Sequence, residues 1–270
     1  KFGNATLQIG DGDHLAVHTG IITISDFRQK HIAAGGEGAP LAVYGDYLIF
    51  SRAGEDRIML NMGGIANFTY LPGNLNAEEV FCTDTGPGNT LMDAWIQEHV
   101  PGAYFDKDGA LAASGEIHTG LLAALKANSF FDQPFPKTTG PELFNLAYLS
   151  AAREKSNTQG LSVADVMATL NRFSAETIAE SVNKLISLNK HAVLYASGGG
   201  MHNSVLMQHL QTLLPHASFQ KTESLGVHPD AKEAVLFAVL ANECIAGGKV
   251  SYGNRQGVPS VTMGKISFPW

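Results

Sequence analysis

The residue best suited to chemistry is Asp84, in the run Asp84-Thr85-Gly86-Pro87-Gly88-Asn89. A carboxyl group with a reference pKa near ~3.9 is ionised at neutral pH and can take a proton from a water or a hydroxyl. Gly86 and Gly88 bracket Pro87, a rigid turn that would hold the carboxylate in one place. The same turn would equally let Asp84 bond its own local N–H groups as a cap. Two more glycine runs accompany it. Asn61-Met62-Gly63-Gly64-Ile65-Ala66-Asn67 reads as a tight hairpin whose N–H groups can hold phosphate oxygens, although paired glycines also turn hairpins with no ligand. Ser197-Gly198-Gly199-Gly200-Met201-His202-Asn203 leaves room for a flat ring or a phosphate against the backbone. It matches neither the dinucleotide G-x-G-x-x-G pattern nor a Walker A loop.

These runs must be positioned by the elements around them. Arg57 to Met62 and Ile65 to Leu71 read as strands joined at the double glycine. Glu79 to Thr83 reads as a strand that delivers the Asp84 loop, with a helix from about Asn89 to Val100. Ala192 to Ala196 reads as a buried strand ending at the triple glycine, with a helix from Ser204 to Leu214. Such strand–glycine–helix units indicate α/β layers, with sites at strand ends. Three glycine turns, one carrying an aspartate, suggest a cleft between two lobes. Elsewhere, Ala5–Ile9, Leu15–His18 and Ile21–Ser25 are expected as strands, and residues 40–51 as a helix with Pro40 at its start. Ser162 to Leu188 is the best long helix: Ser162 and Asp165 resemble a capping box, and Val166, Leu170, Phe173 and Ile178 form an apolar stripe. Asp230 to Ala246 is apolar nearly all round and is expected as a buried helix, and Ser260 to Phe268 as one or two strands.

Composition narrows the function classes. The 270 residues, 44% hydrophobic and 16% charged, describe a globular chain able to bury a core. A net charge of −7 argues against a general nucleic-acid binder. Cys82 and Cys244 sit in apolar runs without metal-ligand spacing, which fits buried thiols, a reducing compartment and a cytoplasmic location. His14 and His18 are four apart but lack the adjacent glutamate of a zincin helix, so no protein metal site is expected. The longest apolar run, Val235 to Ala241, is far short of the ~18 residues of a membrane span. No secretory signal pattern is read either. Lys137 and His202 are each read as facing solvent more readily than a ligand.

The order of the motifs carries a family resemblance. Asn61-x-Gly63-Gly64-Ile65-Ala66-Asn67, then Asp84-Thr85-Gly86-Pro87-Gly88-Asn89 with Leu91-Met92-Asp93-Ala94-Trp95, resemble the anhydro-N-acetylmuramic acid kinases. Asp26-Phe27-Arg28, the Gly35-Gly36-Glu37-Gly38-Ala39-Pro40-Leu41 stretch and Tyr104 to Gly109 fit the same family. So do Pro136-Lys137-Thr138-Thr139-Gly140, Phe144-Asn145 and Asp230-x-x-Glu233-Ala234, so that the match runs through nearly the whole chain.

The resemblance implies an α/β fold of the actin/Hsp70/sugar-kinase superfamily: two RNase H-like lobes, the second complete here and the first partial. Residues 1–52 would be the remainder of the first lobe and 53–254 the second lobe with the nucleotide and catalytic loops. Residues 255–270 would be a tail returning to the first lobe. It further implies an ATP- and Mg²⁺-dependent kinase of cell-wall recycling, acting on 1,6-anhydro-N-acetylmuramic acid to give the 6-phosphate while water opens the anhydro ring. Asp84 would activate that water. Asn61, Gly63, Gly64 and Asn67, with Gly86, would face the nucleotide phosphates, and Gly198, Gly199 and Gly200 the adenosine. Arg28 would meet the substrate carboxylate or hold Asp84 anionic, with a lobe-bridging arginine as the alternative. Glu233 would contact substrate or simply stabilise a helix start. The partners implied are the sugar and ATP, with a homodimer suggested by the family.

One family motif has no counterpart. Members open with a Gly-x-Ser-x-Asp-Gly-x-Asp hairpin, and this sequence begins Lys1-Phe2-Gly3, about a quarter of the way into a member. A truncated first lobe is therefore expected. Two other functions stay open: a related carbohydrate kinase with another sugar, and a nucleotide-binding fragment without catalysis.

Overall fold

The computed structural model describes residues 9–36, 38, 41–186, 193–248, 250–253 and 257–270. The elements begin with α1 (Gly12–Thr19), β1 (Thr23–Ser25), α2 (Phe27–Ala33), α3 (Ala42–Phe50), β2 (Arg57–Met62), β3 (Ile65–Leu71) and β4 (Phe81–Pro87). Then follow α4 (Thr90–His99), α5 (Ala110–Ala113), α6 (Thr119–Lys126), α7 (Leu146–Lys155) and α8 (Val163–Ile186). The last are β5 (Val193–Ser197), α9 (Ser204–Leu213), β6 (Ser218–Lys221), α10 (Lys232–Ala246) and β7 (Lys265–Ser267). They form two compact units: Lys1–Glu55, Thr69–Cys82 and Asp230–Trp270 in one, Asp56–Phe68 and Thr83–Pro229 in the other.

A five-stranded sheet, ordered β4-β3-β2-β5-β6, organises the second unit. β2 and β3 are neighbours joined only by Gly63-Gly64, which makes them antiparallel. β4 runs back along β3, because Gly88 N–H reaches Gly64 O at 2.8 Å while Thr85 Oγ1 reaches Ala66 O at 3.1 Å. β5 pairs parallel with β2 (Ile58↔Leu194, Asn61↔Ser197), and β6 parallel with β5 (Val193↔Ser218). Three antiparallel strands followed by two parallel ones, in this order, make an RNase H-like α/β lobe. Ile58, Met59, Leu60 and Met62 are all buried, as a central strand covered on both faces requires. The apolar stripe of α8 supplies Val166, Leu170 and Phe173 to a core that also holds Leu91, Trp95, Leu121, Phe130 and Phe144. Ser162 caps that helix, its Oγ accepting from Asp165 N–H at 3.1 Å.

In the first unit, β1 pairs antiparallel with β7 (Ile24↔Ile266). α3 and α10 pack closely at Gly45, where a Cβ would lie 1.8 Å from Leu236 Cδ1. Lys232 Nζ, on α10, meets the buried carboxylate of Asp46 on α3 at 3.0 Å.

Three expectations need correction. Leu15–His18 is not a strand but part of α1. Asp11 Oδ1 accepts from Asp13 and His14 N–H (2.8 and 3.2 Å), and Gly20 closes the helix on Ala16 O. These caps override a short apolar alternation whose Leu15 and Val17 are exposed. His14 and His18 therefore do share a helix, with ring centroids 6.2 Å apart. Second, Asp84 to Pro87 form no loop: they are the end of β4. Third, α10 is not buried. Leu240 is its buried residue, and Ile245 is 63% exposed. An apolar helix is buried only when neighbours cover every face. Here α10 packs closely on α3 at Gly45 and on α2, where Phe27 lies against Phe237 at 5.2 Å. The expected strand at residues 5–8, together with Pro40, residues 187–188 and Ala192, lies outside the described residues.

Candidate active site

The turn between β2 and β3 docks on the start of α4. Asn89 N–H donates to Gly63 O (2.9 Å), and the Gly88 and Thr90 N–H groups both donate to Gly64 O (2.8 and 3.0 Å). The first N–H groups of a helix have no partner within it, and here two carbonyls of the hairpin serve them. Those bonds use the carbonyl oxygens, and among the described residues the N–H groups of Gly63 and Gly64 make no turn or loop hydrogen bond. The close approach depends on Gly88, since a Cβ there would stand 2.3 Å from Gly63 O.

The triple glycine lies against the same hairpin. A Cβ on Gly198, whose φ is +85°, would meet Asn61 Oδ1 at 2.6 Å and Met62 C at 2.8 Å. One on Gly200 would stand 2.7 Å from Met62 Cβ. Parallel pairing of Asn61 with Ser197 is what brings these runs together. Gly198 and Gly200 are thus small because protein approaches them. Gly199 differs: the nearest atom to its Cβ position is Asn89 Nδ2 at 3.7 Å, and it lines a cavity of about 510 Å³. Asn89, Met92, Asp93, the Phe105–Asp108 turn, His202 and Asn203 form the rest of that wall.

Asp84 is half-buried near the end of β4. Its backbone N–H donates to Lys137 O at 2.9 Å, and its Oδ2 accepts from Thr139 N–H at 2.8 Å. The side chain's other oxygen makes no hydrogen bond with a described residue. Burial raises its pKa above the ordinary carboxylate value; the Thr139 N–H opposes this and the Glu142 carboxylate adds to it. The result is a fixed carboxylate, more basic than a free aspartate, with one oxygen open.

The structure gathers Asn61, Gly63, Gly64, Asn67, Asp84, Gly86 and Gly198–Gly200 in the second unit. Asn67 is half-buried in β3, and Gly86 is buried in β4 with φ +143°. Arg28 and Glu233 belong to the first unit. Arg28 Nη1 donates to Gly38 O at 2.5 Å, and Glu233 is exposed in the first turn of α10. Lys137, expected in solvent, is buried instead. Its Nζ donates to Phe130 and Phe131 O (2.9 and 3.3 Å) and lies 4.3 Å from the Phe130 ring centroid. A long cationic side chain looks exposed by type, and only tertiary carbonyls and rings make its burial tolerable.

Sequence reasoning missed Thr139 as the donor to Asp84. It named the residue only within a motif, although the contact spans 55 positions. Thr139 Oγ1 is also buried without a hydrogen-bond partner among the described residues. Among the same residues, no group of three or more His, Cys, Asp or Glu side chains is arranged for a metal. No described helix is long and apolar enough to cross a membrane.

The model of the anhydro-N-acetylmuramic acid kinase family matches residues 2–264. The chain belongs to that family. Relatives of the same name include one from Pseudoalteromonas atlantica, 60% identical over all of this chain and 68% of its own length. Another, from Pseudoalteromonas translucida, is 61% identical over 99% of this chain and 67% of its own length. The chain thus spans about two thirds of these kinases. A solved structure, an activator of the 2-hydroxyisocaproyl-CoA dehydratase from Clostridium difficile with bound ADPNP, aligns with 79% of this chain and 70% of its own at a TM-score of 0.44 and 14% identity, too distant to carry an argument.

Proposed function

We propose that this protein is the ATP-dependent kinase that converts 1,6-anhydro-N-acetylmuramic acid to N-acetylmuramic acid 6-phosphate, with Asp84 as the general base. Family membership over residues 2–264 supports the reaction. The observation that carries the role of Asp84 is the half-buried carboxylate fixed through Oδ2 by Thr139 N–H, with its other oxygen open.

The chemistry follows from that oxygen. It takes a proton from a water molecule as the water attacks the anomeric carbon of the sugar. The bond from that carbon to O6 breaks, and O6 takes the γ-phosphoryl group of ATP, leaving ADP. This is inverting glycoside hydrolysis in which the leaving oxygen is phosphorylated instead of protonated. Burial raises the Asp84 pKa and so makes its carboxylate a stronger base than a free aspartate. The open N–H groups at Gly63 and Gly64 suit phosphate oxygens, and the cavity at Gly199 suits the rest of the nucleotide. The described residues form no cage for Mg²⁺. When bound, the ion would be held by phosphates and water, and would neutralise phosphoryl charge.

The test is incubation of the intact protein with ATP and the anhydro sugar in ¹⁸O-water, read by mass spectrometry. The expected product is the 6-phosphate with one ¹⁸O at the anomeric hydroxyl. Phosphorylation of another sugar, with the anhydro sugar untouched, overturns the substrate; a 6-phosphate without the label overturns the water-activating step.

A further inference from the structure

The cavity beside Gly199 holds a carboxyl group that the fold does not use. Asp93, in the first turn of α4, is half-buried and makes no hydrogen bond or ion pair through its side chain with a described residue. Its polar neighbours are largely committed. Asp106 accepts from Leu111 and Ala112 N–H (2.8 and 3.0 Å), and Asn89 Nδ2 donates to Met62 O at 3.2 Å. Asn203 Oδ1 accepts from Asn171 Nδ2 and Leu206 N–H, both at 3.0 Å.

The ligand class follows from what is left. The carboxyl groups of Asp93, Asp106 and Asp108 outnumber the Lys107 ammonium in this wall, so an anion is a poor occupant. A metal ion lacks a ligand set among the described residues. A neutral polyol joined to a flat ring fits. Hydroxyls can donate to the Asp93 carboxylate, and the ring can lie on Phe105, which is 60% exposed. Asn89 connects this cavity to the hairpin: its N–H holds Gly63 O while the residue lines the wall. A nucleotide with its phosphates at Gly63 and Gly64 would bring its nucleoside here.

We propose that Asp93 is the specificity-determining residue for the ribose of the bound nucleotide, its carboxylate accepting hydrogen bonds from the sugar's vicinal hydroxyls. The inference rests on the kinase reading and names the group that reads the nucleotide's neutral end. It also makes ribose recognition depend on pH, because burial pushes Asp93 up to about 6. The charged and titratable groups around it are Asp106, Lys107 and Asp108 on the neighbouring turn and His202 beside the triple glycine.

The test is calorimetric binding of ATP and 2′,3′-dideoxy-ATP to the intact protein. At pH 8 the native protein is expected to prefer ATP by about tenfold or more, the worth of a hydrogen bond to a charged acceptor. Asp93→Asn should reduce that ratio to about twofold while leaving dideoxy-ATP affinity unchanged. In the native protein the ratio should shrink as pH falls from 8 to 5. That response should survive His202→Ala and be absent from Asp93→Asn. A native ratio that stays flat with pH, or a ratio that Asp93→Asn leaves intact, overturns the proposal and spares the kinase reading. No binding of ATP at all overturns both.

Discussion

The backbone N–H of Thr139 donates to Asp84 Oδ2 at 2.8 Å, joining the end of β4 to a segment 55 residues later. That one bond orients the carboxylate, so the remaining oxygen has a fixed direction. Replacing Asp84 by Asn keeps the shape and removes the base. Asp84→Asn is expected to lower turnover by about 10²–10⁴ with ATP affinity within about twofold. Steady-state kinetics beside calorimetry reads both; undiminished turnover would remove Asp84 from the mechanism.

Glu142 gives the same base a pH signature. Burial raises the Asp84 pKa, and the Glu142 carboxylate raises it further. A base works only when ionised, so the acid limb of kcat should lie above the ordinary aspartate value. Glu142→Gln removes one cause of the rise, and the limb should move to lower pH, so that more activity survives in acid. A limb that does not move would mean Glu142 does not influence Asp84.

Gly88 tests the docking of the hairpin on α4. A Cβ there would stand 2.3 Å from Gly63 O and 3.2 Å from Ala66 N, both backbone atoms. Gly88→Ala is expected to cost about 2–4 kcal/mol of stability and to weaken ATP binding through the displaced turn. Chemical denaturation beside calorimetry measures the two effects. Native stability in this variant would show that the hairpin can shift freely.

Lys137 separates a structural lysine from a phosphate ligand. Its Nζ serves two carbonyls, and burial lowers its pKa, with Lys184 adding and Asp132 opposing. Lys137→Met keeps the apolar stem but strands the carbonyls of Phe130 and Phe131. A loss of about 1–3 kcal/mol in denaturation is expected, with ATP affinity unchanged. A large loss of affinity at unchanged stability would reverse that assignment.

Asp93 should leave its mark on stability. Its pKa is about 6 in the folded chain against 3.8 for the free group. A raised value means the contribution is fully present below 3.8 and is lost as pH rises through about 6. The ionised side chain is therefore a cost at pH 8, and Asp93→Asn should stabilise there by about 1–2 kcal/mol after solvent screening. The gain should vanish toward pH 4. Thermal unfolding of both proteins across that range checks it, and a pH-independent difference would contradict it.

Much of this was legible in the chain. The strands at Arg57–Met62 and Ile65–Leu71, the long helix carrying Val166, Leu170 and Phe173, and the glycine runs all follow from local pattern. Misreadings arose where a cap or a neighbour decided. Asp11 and Gly20 turned an apparent strand into α1, and α10 is not buried because its close packing on α2 and α3 covers only part of its surface.

By itself, the sequence determined the order of strands, glycine turns and helices, the presence of Asp84, and the family. These depend on residue type and spacing, which are local. Only the tertiary structure decided that Gly198 and Gly200 are small to admit Asn61 and Met62, that Lys137 faces inward, and that Thr139 holds Asp84. It also decided that Asp93, beside a cavity, has no side-chain partner among the described residues. Burial and hydrogen-bond partners come from segments distant in the chain, and they set which groups are committed to the fold and which stay open to a ligand.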